Sequence, residues 1–299
     1  PGYWVAISIT AFLFAPLSLY SVAKDIRFDD LKNVIFGANG AVYYVLNNLS
    51  LLINQNRIGP TPAAELVVAS TWNASLWTLA HELFCYAHLL LLNLTGLLRK
   101  RWPVLLMATA LWACLVLTTI LLPKAWVIYP TIYRLVLFNS IFLYGAAIWI
   151  YRAELPNSFA LAVACSALYF ASLWLPIGEK SIFMHTGFGA FAPLISYPII
   201  WFGLNNSLTL ARNNDYSYGL YLYAFPSQQL LMILGIAKWG VLAFLTILTC
   251  STFVLSALSW HLIERRCIRF AHTLAGGSNR KVNSTRVYEM PAVKTPTHE

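Results

Sequence analysis

Charged side chains are scarce in this chain: Asp, Glu, Lys and Arg make up 10% of its 299 residues, where soluble domains carry roughly a quarter. With a mean hydropathy of +0.64, the chain has too little polar surface to clothe a water-soluble globule, and that class is excluded. Cysteine is also sparse and unpatterned. Cys85, Cys114, Cys165, Cys250 and Cys267 lie in or beside apolar runs without Cys-x-x-Cys spacing, so neither a disulfide framework nor a metal site is indicated. An initiator Met and a signal peptide with a charged start and cleavage site are both missing. Pro1-Gly-Tyr-Trp4 reads instead as a helix entry in the middle of a longer protein.

Long apolar runs are abundant. They fall at 2–22, 74–98, 103–122, 134–151, 157–176, 186–204, 217–235 and 239–261, each near the roughly 20 residues a helix needs to cross a bilayer. The expected fold is all-α: a polytopic transmembrane bundle of about eight spanning helices. A shorter stretch, 40–53, carries Asn47, Asn48 and Ser50 and is expected to be interfacial or re-entrant. Residues 1–270 form the membrane domain, and 271–299 a disordered cytoplasmic tail, its end rich in Gly, Ser, Asn, Thr and charge.

Basic residues collect on the cytoplasmic side. With the C-terminus inside, Arg99, Lys100, Arg101, Arg152, Arg212, Arg265, Arg266 and Arg269 lie near the cytoplasm, and Lys124, Arg134, Lys180 and Lys238 on short outer loops. The net charge of +9 is thus spent on orientation, anionic membrane lipids or a phosphorylated ligand, and nucleic acid is not expected as a partner.

Within this apolar chain Glu82 stands about two turns inside a membrane-length segment, where a carboxylate is costly unless it faces a polar cavity or a partner. At 100° per residue, Ser75, Thr78, Glu82, Tyr86 and Asn93 fall within about 80° of one another, giving one polar stripe. Trp77, His81 and His88 cluster on nearly the opposite side. His81 adjoins Glu82 in sequence, but neighbouring helical residues do not face each other. Further on, Asp215 precedes a helix that contains Tyr218 and Pro226. Capping accounts for Asp215 as well as a site does. At the end of the last run, α-helical spacing stacks Trp260 over Glu264 and His261 over Arg265, either as a surface ion-pair cluster or as ligands.

Asn73-Ala-Ser-Leu-Trp-Thr-Leu-Ala-His-Glu82, Asp215-Tyr-Ser-Tyr-Gly-Leu-Tyr-Leu-Tyr-Ala-Phe-Pro226 and Ser259-Trp-His-Leu-Ile-Glu-Arg265 resemble, in order and spacing, characteristic segments of the acyltransferase-3 family of bacterial inner-membrane O-acyltransferases. Pro1-Gly-Tyr-Trp4 looks like the end of that family's Arg-rich loop followed by its third helix. The resemblance implies a ten-helix protein of which this chain lacks the first two helices. It also implies transfer of an acetyl or other short acyl group from acyl-CoA to a hydroxyl of a carbohydrate acceptor such as lipopolysaccharide, another envelope polysaccharide or a secreted glycolipid. The family's essential histidine, a nearby arginine and its Arg-x-x-Arg loop belong to the missing part, and Ala80-His81 replaces the Pro-Tyr or Pro-Val often seen before the family's acid. No histidine of this chain inherits the missing role, and residues 1–299 alone are expected to be inactive.

By that resemblance Glu82 is the catalytic residue, orienting the upstream histidine or contacting the acceptor. Asn73, Ser75, Trp77, Thr78, Tyr86, Asp215 and Tyr218 line the acceptor site, and Arg134 pairs with an acid or an anionic acceptor. Arg99, Lys100, Arg101 and Arg212 hold the acyl-CoA phosphates. Acetyl-CoA or another acyl-CoA is a co-substrate, and no bound cofactor or metal is expected. A transporter or flippase of a lipid-linked sugar is the alternative, and a membrane scaffold a more distant one. Inverted repeats with paired broken helices, which would favour transport, are not found.

Overall fold

The computed structural model describes residues 1–21, 26–61, 71–122, 128–172, 191–205 and 214–274. Lys124, Lys180, Arg212 and the tail beyond 274 lie outside the described residues. Within them all regular structure is helical. In chain order the elements are α1 (Gly2–Tyr20), α2 (Phe28–Phe36), α3 (Ala41–Asn47), α4 (Ala74–Leu94), α5 (Arg101–Leu121), α6 (Pro130–Ile150), α7 (Phe159–Ser172), α8 (Ala192–Asn205), α9 (Ser217–Ile233) and α10, which begins at Val241 and continues to Leu274.

Five of these, α1, α4, α5, α6 and α10, are long and apolar enough to cross a membrane, so this is a membrane protein with five candidate spans where the apolar runs led us to expect eight. The runs at 157–176 and 186–204 extend into residues outside the description, and their described helices, α7 and α8, have 14 residues each. Helix α9 has 17 residues. It ends before Gly235, whose φ of +75° is a left-handed conformation that costs glycine little and stops a helix.

Helix α1 passes through a π-turn at Thr10–Phe14 just before Pro16. The wider turn accommodates a proline that would otherwise crowd the preceding carbonyls of a regular helix. The 40–53 stretch forms only the seven-residue α3, about 10 Å long, so it does not span. Buried Asn48 closes it: its amide donates to the Gln55 carbonyl at 2.8 Å, and its side-chain oxygen accepts from the Asn54 and Gln55 backbone N–H groups at 2.9 and 3.1 Å. The Tyr3 hydroxyl then donates to the Asn48 carbonyl, pinning this turn to α1.

Two cores result. Ile7, Tyr44, Trp72, Leu76, Leu222 and Tyr223 form one among α1, α3, α9 and the first turn of α4. Leu92, Val104, Leu143 and Ala147 form another where the far end of α4 meets α5 and α6. Helix α4 therefore changes partners along its length.

Helices α9 and α10 approach backbone to backbone. A Cβ on Gly219 would lie 2.9 Å from the Ser256 Cα, the close small-residue packing that membrane helices favour. Gly219→Leu should destabilise the protein by about 1–3 kcal/mol through overpacking, lowering the melting temperature of the protein in detergent. An unaltered melting curve would contradict this helix contact.

Candidate functional site

The segments around Asn73, Tyr218 and Glu264 meet in the first core, beside the start of α1. Asn73 makes the first link. Pro226 sits inside α9 without an N–H, so the carbonyl four residues earlier, on Leu222, loses its helical donor. The buried Asn73 amide supplies one at 3.0 Å, while its oxygen accepts from the Ser75 N–H at 3.2 Å and caps the 3₁₀ turn that opens α4. Asn73 thus repairs the proline's defect and fixes α4 against α9 in one step. Asn73→Ala should cost about 1–3 kcal/mol by orphaning a buried carbonyl. Adding Pro226→Ala should recover much of that loss, because residue 226 regains its N–H. A double-mutant cycle on thermal stability checks it, and strict additivity would count against the link.

Glu82 follows two turns on. The Thr78 hydroxyl donates to Glu82 Oε1 at 2.9 Å, and the Tyr221 hydroxyl of α9 contacts both the Thr78 hydroxyl and the Ser75 carbonyl. With Thr78 donating to the carboxylate, the single Tyr221 proton serves either Thr78 or Ser75. Tyr221, Thr78 and Glu82 therefore form a short hydroxyl relay ending on a half-buried carboxylate. Tyr221 was not among the expected residues. Its position three residues after Tyr218, on the same face of α9, was the signal for it.

A second carboxylate lies beyond. At Trp260–Glu264 helix α10 makes a π-turn, and this widened register brings Ser259 under Glu264, donating to Oε1 at 2.7 Å. Glu264 is 7% exposed. Gly2 makes room for it: a Cβ there would stand 2.6 Å from Glu264 Oε1 and 3.0 Å from Tyr218 Cε1. Tyr218 thus shares with Glu264 the gap that Gly2 leaves, and Glu82 also acts on it electrostatically. Of the two readings of this segment, the surface ion-pair cluster is set aside. Glu264 points inward, Arg265 and Arg266 are exposed, and the ion pair among the described residues is Arg101–Glu154. The turn is anchored by Trp260, donating to Asn214 Oδ1 at 3.1 Å, and by His261, 3.0 Å from the Tyr216 hydroxyl.

The polar stripe expected on α4 divides. Ser75, Thr78 and Glu82 face the interior, but Tyr86 is 58% exposed and packs edge-on against Phe142 of α6, and Asn93 is exposed. Asp215 is exposed and engaged as a cap, accepting from the Ser217 N–H at 3.1 Å. His81 turns away from Glu82, with Nδ1 at 3.0 Å from the Trp77 carbonyl and its ring against Trp77 and Phe138. Arg134 of α6 lies over the Trp77 ring, its Cζ 4.7 Å from the centroid. At the opposite end of α4 and α6, Arg99 and Lys100 are exposed, while Arg101 pairs with Glu154.

The chain is 40% identical over 52 residues to a protein named O-acetyl transferase from Shigella phage Sf6, a stretch covering 17% of this chain and 15% of that protein. This similarity fits acetyl transfer in general. No family model matches the chain. No solved structure matches it.

Proposed function

We propose that this chain is the membrane-embedded part of an O-acyltransferase that moves an acetyl or other short acyl group from acyl-CoA to a hydroxyl of a cell-surface or secreted carbohydrate. We place it in the bacterial inner membrane with its C-terminus in the cytoplasm. The observation that carries this reading is the Glu82 carboxylate, held inside an apolar protein by a Thr78–Tyr221 hydroxyl relay where the three segments resembling acyltransferase-3 converge. The similarity to the phage protein named O-acetyl transferase supports the transfer chemistry.

An alcohol is a weak nucleophile at neutral pH, so thioester-to-hydroxyl transfer requires a base for the O–H proton and donors for the developing oxyanion. As the alcohol oxygen bonds to the acyl carbon and the C–S bond breaks, the proton taken from the alcohol ends on the coenzyme A thiol. In this reading the base is the histidine that the resemblance places upstream, and Glu82 orients it and stabilises its charged form. Tyr218 and Tyr221 present hydroxyls to the same interior. Exposed Arg99 and Lys100, together with Arg212, hold the coenzyme A phosphates, and Arg101 joins them on release from Glu154.

Membranes containing the full-length protein, incubated with radiolabelled acetyl-CoA, test the reading. Label should enter glycan. Sugar translocation without labelling would favour the transporter alternative.

A further inference from the structure

Arg134 is half-buried in the second turn of α6, a membrane-length helix. It makes the cation–π contact with Trp77, and among the described residues it has no carboxylate or carbonyl partner. The described acids deeper in the chain are engaged elsewhere: Glu82 by Thr78, Glu154 by Arg101, Asp215 by Ser217 and Glu264 by Ser259. A guanidinium in a membrane span is expensive to keep unless something meets its charge, and its planar fork of donors matches carboxylate or phosphate oxygens two at a time.

Its position bears on the ligand. Trp77 directly precedes Thr78 in the chain, so the guanidinium and the hydroxyl relay lie at the same end of α4, though on different faces of it. The basic turn at Arg99–Arg101 lies at the other end of α4, beyond Leu94, some 25 Å away along the helix, so Arg134 is remote from the place assigned to acyl-CoA.

Resting on the acyltransferase reading, we infer that the acceptor is an acidic carbohydrate whose carboxylate or phosphate is bound by Arg134 over Trp77, leaving a nearby hydroxyl at the Glu82 relay.

The test uses the detergent-solubilised full-length protein and three probes: a uronate-bearing oligosaccharide, its neutral methyl ester and a phosphorylated oligosaccharide. Direct binding and acetyl transfer are both measured. Wild type should bind at least one acidic probe about tenfold more tightly than the ester, and Arg134→Gln should abolish that preference. The uronate and phosphate arms identify which anion is read. Arg134→Lys, which keeps the charge without the fork, should retain part of the preference and guards against a variant that fails to fold. Equal binding of acidic and neutral probes by wild type would overturn the inference while leaving the transferase reading intact. So would a rise in KM for acetyl-CoA alone, or a loss confined to activation by anionic phospholipid. Absence of transfer to every probe, with acidic preference still lost in Arg134→Gln, would uphold the anion site and defeat the transferase reading.

Discussion

Glu82→Gln in the full-length protein is expected to lower acetyl transfer by about 10²–10⁴-fold, the range typical of removing acid–base machinery, while expression and membrane insertion stay unchanged. The amide has the carboxylate's shape, and its oxygen still accepts from Thr78, so the 2.9 Å contact and the packing around it survive. What disappears is the negative charge that orients a basic partner and stabilises its protonated form. Thr78→Val, which removes the hydroxyl between Tyr221 and Glu82, should give a smaller loss in the same direction. Incorporation of labelled acetyl into glycan, normalised to protein in the membrane, reads both. Near-normal transfer by Glu82→Gln would remove this carboxylate from the mechanism.

Much of this site is legible in the sequence. A carboxylate inside an apolar run is a physical anomaly by itself, and wheel arithmetic correctly put His81 on another face than Glu82. The same arithmetic failed for Tyr86 and Asn93, because a wheel assumes one neighbour along the whole helix. Helix α4 leaves α9 after its first turns and joins α5 and α6, so a continuous stripe meets two environments. The Asn73–Leu222 bond was hidden because its partners are 149 residues apart. Its cause, a proline that strips a carbonyl of its donor, was plain in the sequence. For Glu264 the obstacle was register: α-helical spacing stacks Trp260 beneath it, whereas the π-turn substitutes Ser259, and no residue pattern announces that change of pitch. Of the eight spans expected, five are found among the described residues. The runs at 157–176 and 186–204 extend outside them, and α9 is cut short by a terminator, Gly235.

Glu264→Gln separates stability from function at the second carboxylate. A buried acid with a hydroxyl donor and, among the described residues, no cation is poor structural material: removing it from water costs several kcal/mol, and one hydrogen bond returns only part of that. If Glu264 served only to bind α10 to α1, a neutral amide would do so at least as well, since its oxygen accepts from Ser259 equally. Its volume also fits the space that Gly2 leaves. The variant should therefore melt at or above the wild-type temperature. Acetyl transfer should nevertheless fall by about 10-fold or more, because the variant removes the carboxylate that shares the gap beside Gly2 with the Tyr218 ring. Glu264→Leu, which strands the Ser259 hydroxyl, should lose about 1–3 kcal/mol of stability as well. Thermal unfolding and transfer assays on the same preparations distinguish these outcomes. Wild-type turnover by a stable Glu264→Gln protein would reduce this carboxyl to packing and leave Glu82 as the site's sole working acid.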